Sequence, residues 1–241
     1  MTYFNVPTPA IINPVDNKRV IYIGGSHGSG KSTLIDDLKM YDRRRVREQL
    51  AHMEGLTDNI NRQIWRATLH CIEHRENLVY ASTQPENSVV IGDRSFLDDF
   101  IYMSSFVKLG WITEDERDRM IAIENLIYKN SNTPKPENFI ILVPPLDWNI
   151  ERIEERWQAG QPPKWCEMNF DYLKVVRNEF ESLEFATNNN ILSHLNILII
   201  KTTDRKERIH KIKEWLHKNS LDDFITEGRT YVEGSRSYSG S

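Results

Sequence analysis

The run Gly25-Ser-His-Gly-Ser-Gly-Lys-Ser32 constrains this chain more than any other feature. It fits G-x-x-x-x-G-K-[ST], and its flanks have the character that the pattern needs. Upstream, Val20–Ile23 is a β-branched and aromatic run; downstream, apolar residues recur at helical spacing from Ser32. A strand, a glycine-rich turn and a helix in that order curl successive backbone N–H groups around one phosphate, above the positive end of the helix. Gly25, Ser26, His27, Gly28, Ser29, Gly30, Lys31, Ser32 and Thr33 are therefore the candidate lining of a nucleotide's phosphate chain. Lys31 is placed to reach the β- and γ-phosphates of ATP, and the Ser32 hydroxyl to ligate Mg2+. His27 stands at a variable position of the loop, where a plain loop residue is expected. A chance glycine-rich turn is the alternative, and the flanking strand and helix argue against it.

Beyond this loop, short apolar runs alternate with helical patterns. Val-Val-Ile within Ser88–Gly92 reads as a buried parallel strand, as do Phe139–Val143 and Leu195–Ile200. Between them Ile60, Ile64, Ala67, Cys71 and Ile72 predict one helix, and Phe96, Phe100, Met103 and Val107 predict the next. Thr113-x-x-Glu116 is a capping box that opens a helix through Leu126. Asp147 is a candidate cap for a helix with Ile150, Ile153 and Trp157, broken by Gly160-Gln-Pro-Pro163. Phe170, Leu173, Val176, Phe180 and Leu183 predict another helix, and Asp204 to Glu207 caps the last one. Met40–Glu48 reads as either a short strand or a charged turn. Strands alternating with helices predict an α/β fold, a doubly wound parallel sheet of about five strands with helices on both faces. The expected organisation is an irregular lead-in over 1–18, one domain over 19–220 with a small helical lid near 150–168, and a disordered Gly/Ser-rich tail over 221–241.

Bulk properties narrow the class. The 241 residues suit one domain with a real core, and a formal charge of -4 gives no general reason to expect a polyanionic partner. Two cysteines, Cys71 and Cys166, make no disulfide framework, and no Cys/His spacing suggests zinc. No apolar run approaches the roughly 20 residues that span a bilayer. A cytoplasmic protein without a membrane association is expected.

A second acid completes the phosphate site. Val89-Val-Ile-Gly-Asp93-Arg94-Ser95 puts Asp93 at the carboxyl end of a buried strand, the edge at which open α/β sheets bind ligands. Asp93 can there help to hold Mg2+ or the acceptor hydroxyl, and Arg94 can steady charge. The plainer reading makes Asp93 a helix N-cap and leaves Arg94 solvated.

Asp93-Arg94-Ser95-Phe-Leu-Asp98-Asp99-Phe-Ile-Tyr102 resembles the Asp/Glu-Arg-Ser element of deoxynucleoside kinases and the Asp-Arg-Tyr/His element of thymidylate kinases. It also looks like the nicotinamide riboside kinase type of P-loop kinase. Phe139-Ile-Ile-Leu-Val-Pro-Pro-Leu-Asp147-Trp-Asn-Ile-Glu-Arg152-Ile-Glu-Glu-Arg156 is similar to their strand, proline and lid helix. The resemblance covers roughly Val20 to Phe180. It implies a five-stranded parallel sheet, a helical lid and transfer of the ATP γ-phosphoryl group to an acceptor oxygen. It makes Arg152 and Arg156 the lid arginines; on charge alone they could equally pair with Glu151 and Glu155 on a solvated face. It also places the base-binding helix around Arg62, Gln63, Trp65 and Arg66. A Gln amide can pair with a base edge and Trp65 could stack, although Trp65 also fits the apolar stripe as a core residue. Asp98 is a further candidate for the acceptor side.

The chain departs from these families where deoxynucleoside kinases carry a glutamate after their second strand. Tyr41-Asp-Arg-Arg-Arg-Val-Arg-Glu48 stands there, with Glu48 or Asp42 as candidate base. Its arginines suit a monophosphate, the backbone of a polynucleotide or a solvated helix face. The expectation is an ATP- and Mg2+-dependent kinase acting on a nucleoside or nucleoside monophosphate, with the deoxy type favoured. Three alternatives stay open: a kinase of the same fold acting on a modified base in DNA through Arg43–Arg47, a P-loop NTPase without an acceptor, and a catalytically silent nucleotide-binding module, against which the intact Lys31, Ser32 and Asp93 argue. Association as a homodimer is a further possibility that the resemblance leaves open.

Overall fold

In a computed structural model, residues 17–38, 41–42, 59–85, 89–163, 166–188, 192 and 194–221 are described. Five strands form one sheet: β1 (Val20–Gly25), β2 (Tyr41–Asp42), β3 (Val90–Asp93), β4 (Asn138–Leu142) and β5 (Asn196–Ile200). Their spatial order is β2-β3-β1-β4-β5, and every neighbouring pair is parallel. The helices between them are α1 (Lys31–Leu38), α2 (Asn59–Thr83), α3 (Phe96–Lys108), α4 (Glu114–Asn130), α5 (Leu146–Gln158), α6 (Phe170–Asn188) and α7 (Arg205–Lys218).

The apolar run of β1 has no polar side because both faces of the sheet are covered. Val20 and Tyr22 enter one core with residues of α2, α3, α4, α5 and α6, while Ile21 and Ile23 enter a second core with Leu34, Ile35, Ile212 and Leu216 of α1 and α7. A period of two thus splits one strand between two cores. The doubly wound sheet expected from the alternation is the sheet observed.

Several local readings need adjustment. Ser95, not Asp93, caps α3, with Asp98 closing a capping box onto the Ser95 amide. Thr113 and Glu116 form the predicted box at α4, and Asp204 caps α7 through the Glu207 amide. The N-cap of α5 is Pro145, which has no side chain to offer; Asp147 lies in the first turn instead. The helix predicted from Ile60 runs to Thr83, and its stripe was only partly the buried one: Ala67 and Cys71 are buried, but Ile72 is 43% exposed. Trp65, at 41% exposed, is not a core residue.

Candidate active site

The loop between β1 and α1 is set by contacts that only glycine permits at two positions. Gly25 has φ +135, and a Cβ there would lie 2.3 Å from the Leu142 carbonyl oxygen of β4. Gly28 has φ +71, and its Cβ would lie 2.4 Å from the carbonyl oxygen of Asn149 in α5. The loop is therefore pressed between strand β4 and the first turns of α5, and Asn149 Nδ2 donates to Ser26 Oγ at 2.8 Å. Lys31 folds back over it, with Nζ donating to the Gly25 and Ser26 carbonyls at 2.8 Å each. Ser32 and Thr33 are exposed in the first turn of α1.

Parallel pairing brings the second acid to the same edge. Asp93 ends β3 in register with Ile23, two residues before Gly25, and the Arg94 amide donates to the Ile23 carbonyl at 3.1 Å. Arg94 has φ +70, uncommon for a residue with a side chain, and this turn sends its guanidinium to the Tyr102 hydroxyl at 2.6 Å. Burial alone would lower the Arg94 guanidinium, but Tyr102, Asp98 and Asp93 raise it above its usual value, so it stays cationic. Asp98, expected to face the acceptor, has a different place. It is fully buried beneath the loop, accepting from the Gly25 amide at 3.3 Å and the Ser95 amide at 3.2 Å. Burial raises its carboxyl, against the pull of Arg94 and Lys31.

Helix α2 brings an unusual face to this edge. A buried helix face is normally apolar, yet Gln63, His70, His74 and Asn77 all point inward, with Arg66 beside them. Most find partners. His70 Nδ1 lies 2.5 Å from Asp99 Oδ2, and Arg66 lies 3.4 Å from Asp99 Oδ1. Burial works against a charge on His70, but Asp99 outweighs it and raises the imidazole above its usual value. The Arg66 and Arg94 guanidinia both stack on the Tyr102 ring, at 4.9 and 5.2 Å. Asn77 Nδ2 donates to the Tyr22 hydroxyl at 3.2 Å, which leaves that hydroxyl to donate to His74 Nδ1 at 2.8 Å. Apart from His74 Nε2, the exception is Gln63. It is 1% exposed, and neither its Nε2 nor its Oε1 has a hydrogen-bond partner among the described residues.

Beyond α5, a carboxylate also reaches the loop. His27 Nδ1 meets Glu167 Oε1 at 3.0 Å and His27 Nε2 meets the Tyr172 hydroxyl at 2.9 Å. Burial lowers the imidazole to about 4 against the pull of the Glu167 carboxylate, with Arg94 and Lys31 adding to the lowering. The ring is therefore neutral at pH 7, donating from Nδ1 to the carboxylate and accepting at Nε2 from Tyr172. Arg156 donates to the same Glu167 Oε1 at 2.9 Å. Arg152 stands apart, half exposed, paired with Glu155 at 2.6 Å and stacked on the Trp148 ring at 5.0 Å. Arg208 of α7 stacks on the same ring at 5.0 Å and donates to the Ser29 carbonyl at 3.2 Å.

With the geometry in place, solved structures give the fold its name. M. mycoides deoxyadenosine kinase with bound dCTP superposes at a TM-score of 0.58 and 20% identity, covering 83% of this chain and 99% of that one. The same enzyme with bound dATP gives 0.61 and 19%, covering 82% and 98%. This is the deoxynucleoside kinase fold. No family model and no curated protein matches the chain.

On this kinase fold the residues singled out from sequence fall into three groups. The loop residues, Asp93 and Arg94 share one edge of the sheet. Arg66 and Tyr102 join Arg94 through the shared Tyr102 ring, Gln63 is buried three residues before Arg66 on α2, and Arg156 reaches the loop through Glu167. Arg152 and Asp98 are placed elsewhere, as described. Glu48 and Arg43–Arg47 lie outside the described residues, as does the side chain of Arg62. No described helix is long and apolar enough to cross a membrane. Sequence reasoning missed Glu167, Asn149, Trp148, Arg208 and the His70–Asp99 pair. The one available signal was the run of polar residues at helical spacing through Gln63, His70, His74 and Asn77, which an apolar-stripe search passes over.

Proposed function

We propose that this protein is an ATP-dependent kinase that transfers the γ-phosphoryl group to a nucleoside or nucleoside monophosphate, the deoxy form being favoured. Gln63 carries the reading. A buried amide with no partner at either atom among the described residues would cost roughly 1–3 kcal/mol for each atom if left so, and a bound ligand is a group that can complete it. An amide offers one donor and one acceptor side by side, the pattern of a nucleobase edge. Arg66, Tyr102 and Arg94 continue from Gln63 toward the phosphate loop, a path that suits a sugar and its reacting hydroxyl or phosphate. The M. mycoides structures, with dATP, dCTP and dCMP bound, support the same class of ligand.

Catalysis in this reading is positioning and charge neutralisation. Loop amides hold the phosphate chain. Lys31 swings from its own loop's carbonyls to the phosphates, and Arg94 and Arg156 stabilise charge on the transferring group. The Ser32 hydroxyl and the Asp93 carboxylate are hard oxygen donors at one edge of the sheet, a set that fits Mg2+. They would hold the ion, which would neutralise charge on the phosphate oxygens.

The test is to incubate the protein with γ-labelled ATP, Mg2+ and a panel of nucleosides, monophosphates and short DNA carrying hydroxymethylated bases. Label on a free deoxynucleoside or its monophosphate is expected. Label only in DNA, or phosphate release indifferent to every acceptor, would overturn the proposal.

A further inference from the structure

We infer that Glu167 is a positioning residue that aims Arg156 at the phosphate loop, and that His27 of the loop holds Glu167 in place. The inference rests on the kinase reading above. His27 and Arg156 meet the same oxygen, Glu167 Oε1, so the guanidinium nitrogen lies no more than about 6 Å from the His27 ring. Glu167 is 4% exposed. A buried carboxylate is costly unless it is paired and hydrogen-bonded. Arg156 supplies the opposite charge and His27 an oriented N–H.

The histidine is itself fixed. Tyr172, fully buried in α6, holds its far nitrogen, and the His27 ring stands edge-on to Tyr102 with centroids 5.7 Å apart. The phosphate loop thus touches the lid at two points. Asn149, in the first turns of α5, bonds Ser26 and packs on Gly28; Glu167, beyond the helix, bonds His27. Between these anchors α5 ends after Gln158, with the Gly160 and Gln161 amides bonding back to the Trp157 and Arg156 carbonyls. A lid tied to the loop at both ends carries Arg156 in register with whatever the loop holds. A guanidinium has five N–H donors in a rigid fork, so a bond to Glu167 orients the fork and leaves donors for phosphate oxygens.

Two other roles compete with this one. Glu167 could contact the acceptor directly, or it could serve packing alone. A double-mutant cycle separates the three, because a residue that acts through Arg156 has nothing to act through once Arg156 is gone. In the full chain, Glu167→Gln is expected to lower kcat roughly tenfold, about 1.4 kcal/mol, and to change the KM for ATP less than about twofold. In an Arg156→Ala background the same substitution is expected to change kcat less than about twofold. His27→Asn should follow the same pattern with a smaller loss.

A second tenfold loss in the Arg156→Ala background overturns the inference and assigns Glu167 to the substrate. An unchanged kcat in Glu167→Gln overturns it in favour of packing. Melting temperatures are read on every variant; should Glu167→Gln fold poorly, the His27→Asn cycle with Arg156→Ala decides by the same criterion. If the unsubstituted protein labels no acceptor, the kinase reading fails by itself. The cycle is then read from affinity for ADP with aluminium fluoride, a mimic of the transferring group. Coupling between Glu167 and Arg156 there upholds the inference, and additive losses overturn it.

Discussion

Replacing Gln63 by methionine is expected to make the protein more stable and less able to use its acceptor. Met is unbranched, similar in length and free of strong hydrogen-bonding groups, so it fills the same space without an unpaired amide. Gln63 is 1% exposed with both amide atoms unpartnered among the described residues. At the low end of roughly 1 kcal/mol per orphaned group, removing two of them gains about 2 kcal/mol. At roughly 2–4 °C per kcal/mol for a chain of this size, the melting temperature rises by about 4–8 °C. The acceptor loses in the other direction. A ligand edge that has met the amide now faces a thioether, losing two hydrogen bonds and leaving its own polar atoms buried. About 3 kcal/mol is reasonable for that loss, which is on the order of a hundredfold in kcat/KM for the acceptor. The KM for ATP should not move, since no phosphate-loop contact is touched. Differential scanning fluorimetry and steady-state kinetics with each substrate varied in turn measure all three quantities. A variant that melts lower while using acceptor normally would show that Gln63 serves the fold, and the argument from an incomplete amide would be wrong.

Three further outcomes follow from the same geometry. Lys31→Ala should cut turnover by at least about a hundredfold, as losing one preorganised donor does; melting should barely change, because Nζ bonds the carbonyls of its own loop, and an active variant would remove Lys31 from the chemistry. Gly28→Ala would put a Cβ 2.4 Å from the Asn149 carbonyl oxygen at φ +71; a stability loss of roughly 1–3 kcal/mol and ATP affinity at least about tenfold weaker by calorimetry are expected, and unchanged affinity would show that the α5 contact does not shape the loop. Glu124 is 3% exposed, and burial, reinforced by Asp99 against Lys135 and His70, pushes its carboxyl up to about 8. The folded chain then keeps a proton that the unfolded chain releases above about 4.5. This contribution is whole below that pH and is lost as pH rises toward 8. Glu124→Gln should therefore flatten the fall in melting temperature between pH 5 and 8, and an identical pH profile would place the carboxyl outside the buried cluster.

How much of this was legible in the sequence depended on whether the signal was local. The strand, loop and helix around Gly25 to Ser32 could be read because strand, glycines, lysine and helix are contiguous. Asp93 could be read because an acid at the end of an apolar strand has one address in a parallel sheet. The capping box at Thr113 and the cap at Asp204 could be read because cap and partner are three residues apart. Asp98 was misplaced because its sequence position is equally that of a capping-box acid and of a substrate ligand; only the Gly25 amide, 73 residues away, distinguishes them. Asp147 was misplaced for the converse reason: a good capping side chain stood two residues inside a helix that Pro145 had already begun.

Helix α5 shows where sequence reading stops. Arg152 and Arg156 are equivalent on a helix ladder, four residues apart and each beside glutamates. Nothing in their spacing says that one stacks on Trp148 in solvent while the other turns inward. What separates them is Glu167, a lone acid after a proline-containing break, which reaches the loop only because α6 starts three residues later with Tyr172 on its inner face. His27 was equally silent, since a variable loop position carries no pattern. A side chain whose partner lies 140 residues away becomes meaningful only when the sheet order has brought both strands' ends to one edge. The residues of the loop between β1 and α1 are written in a motif. Residues that hold those residues are written in the topology, and the double-mutant cycle on Glu167 and Arg156 asks whether that second layer governs the rate.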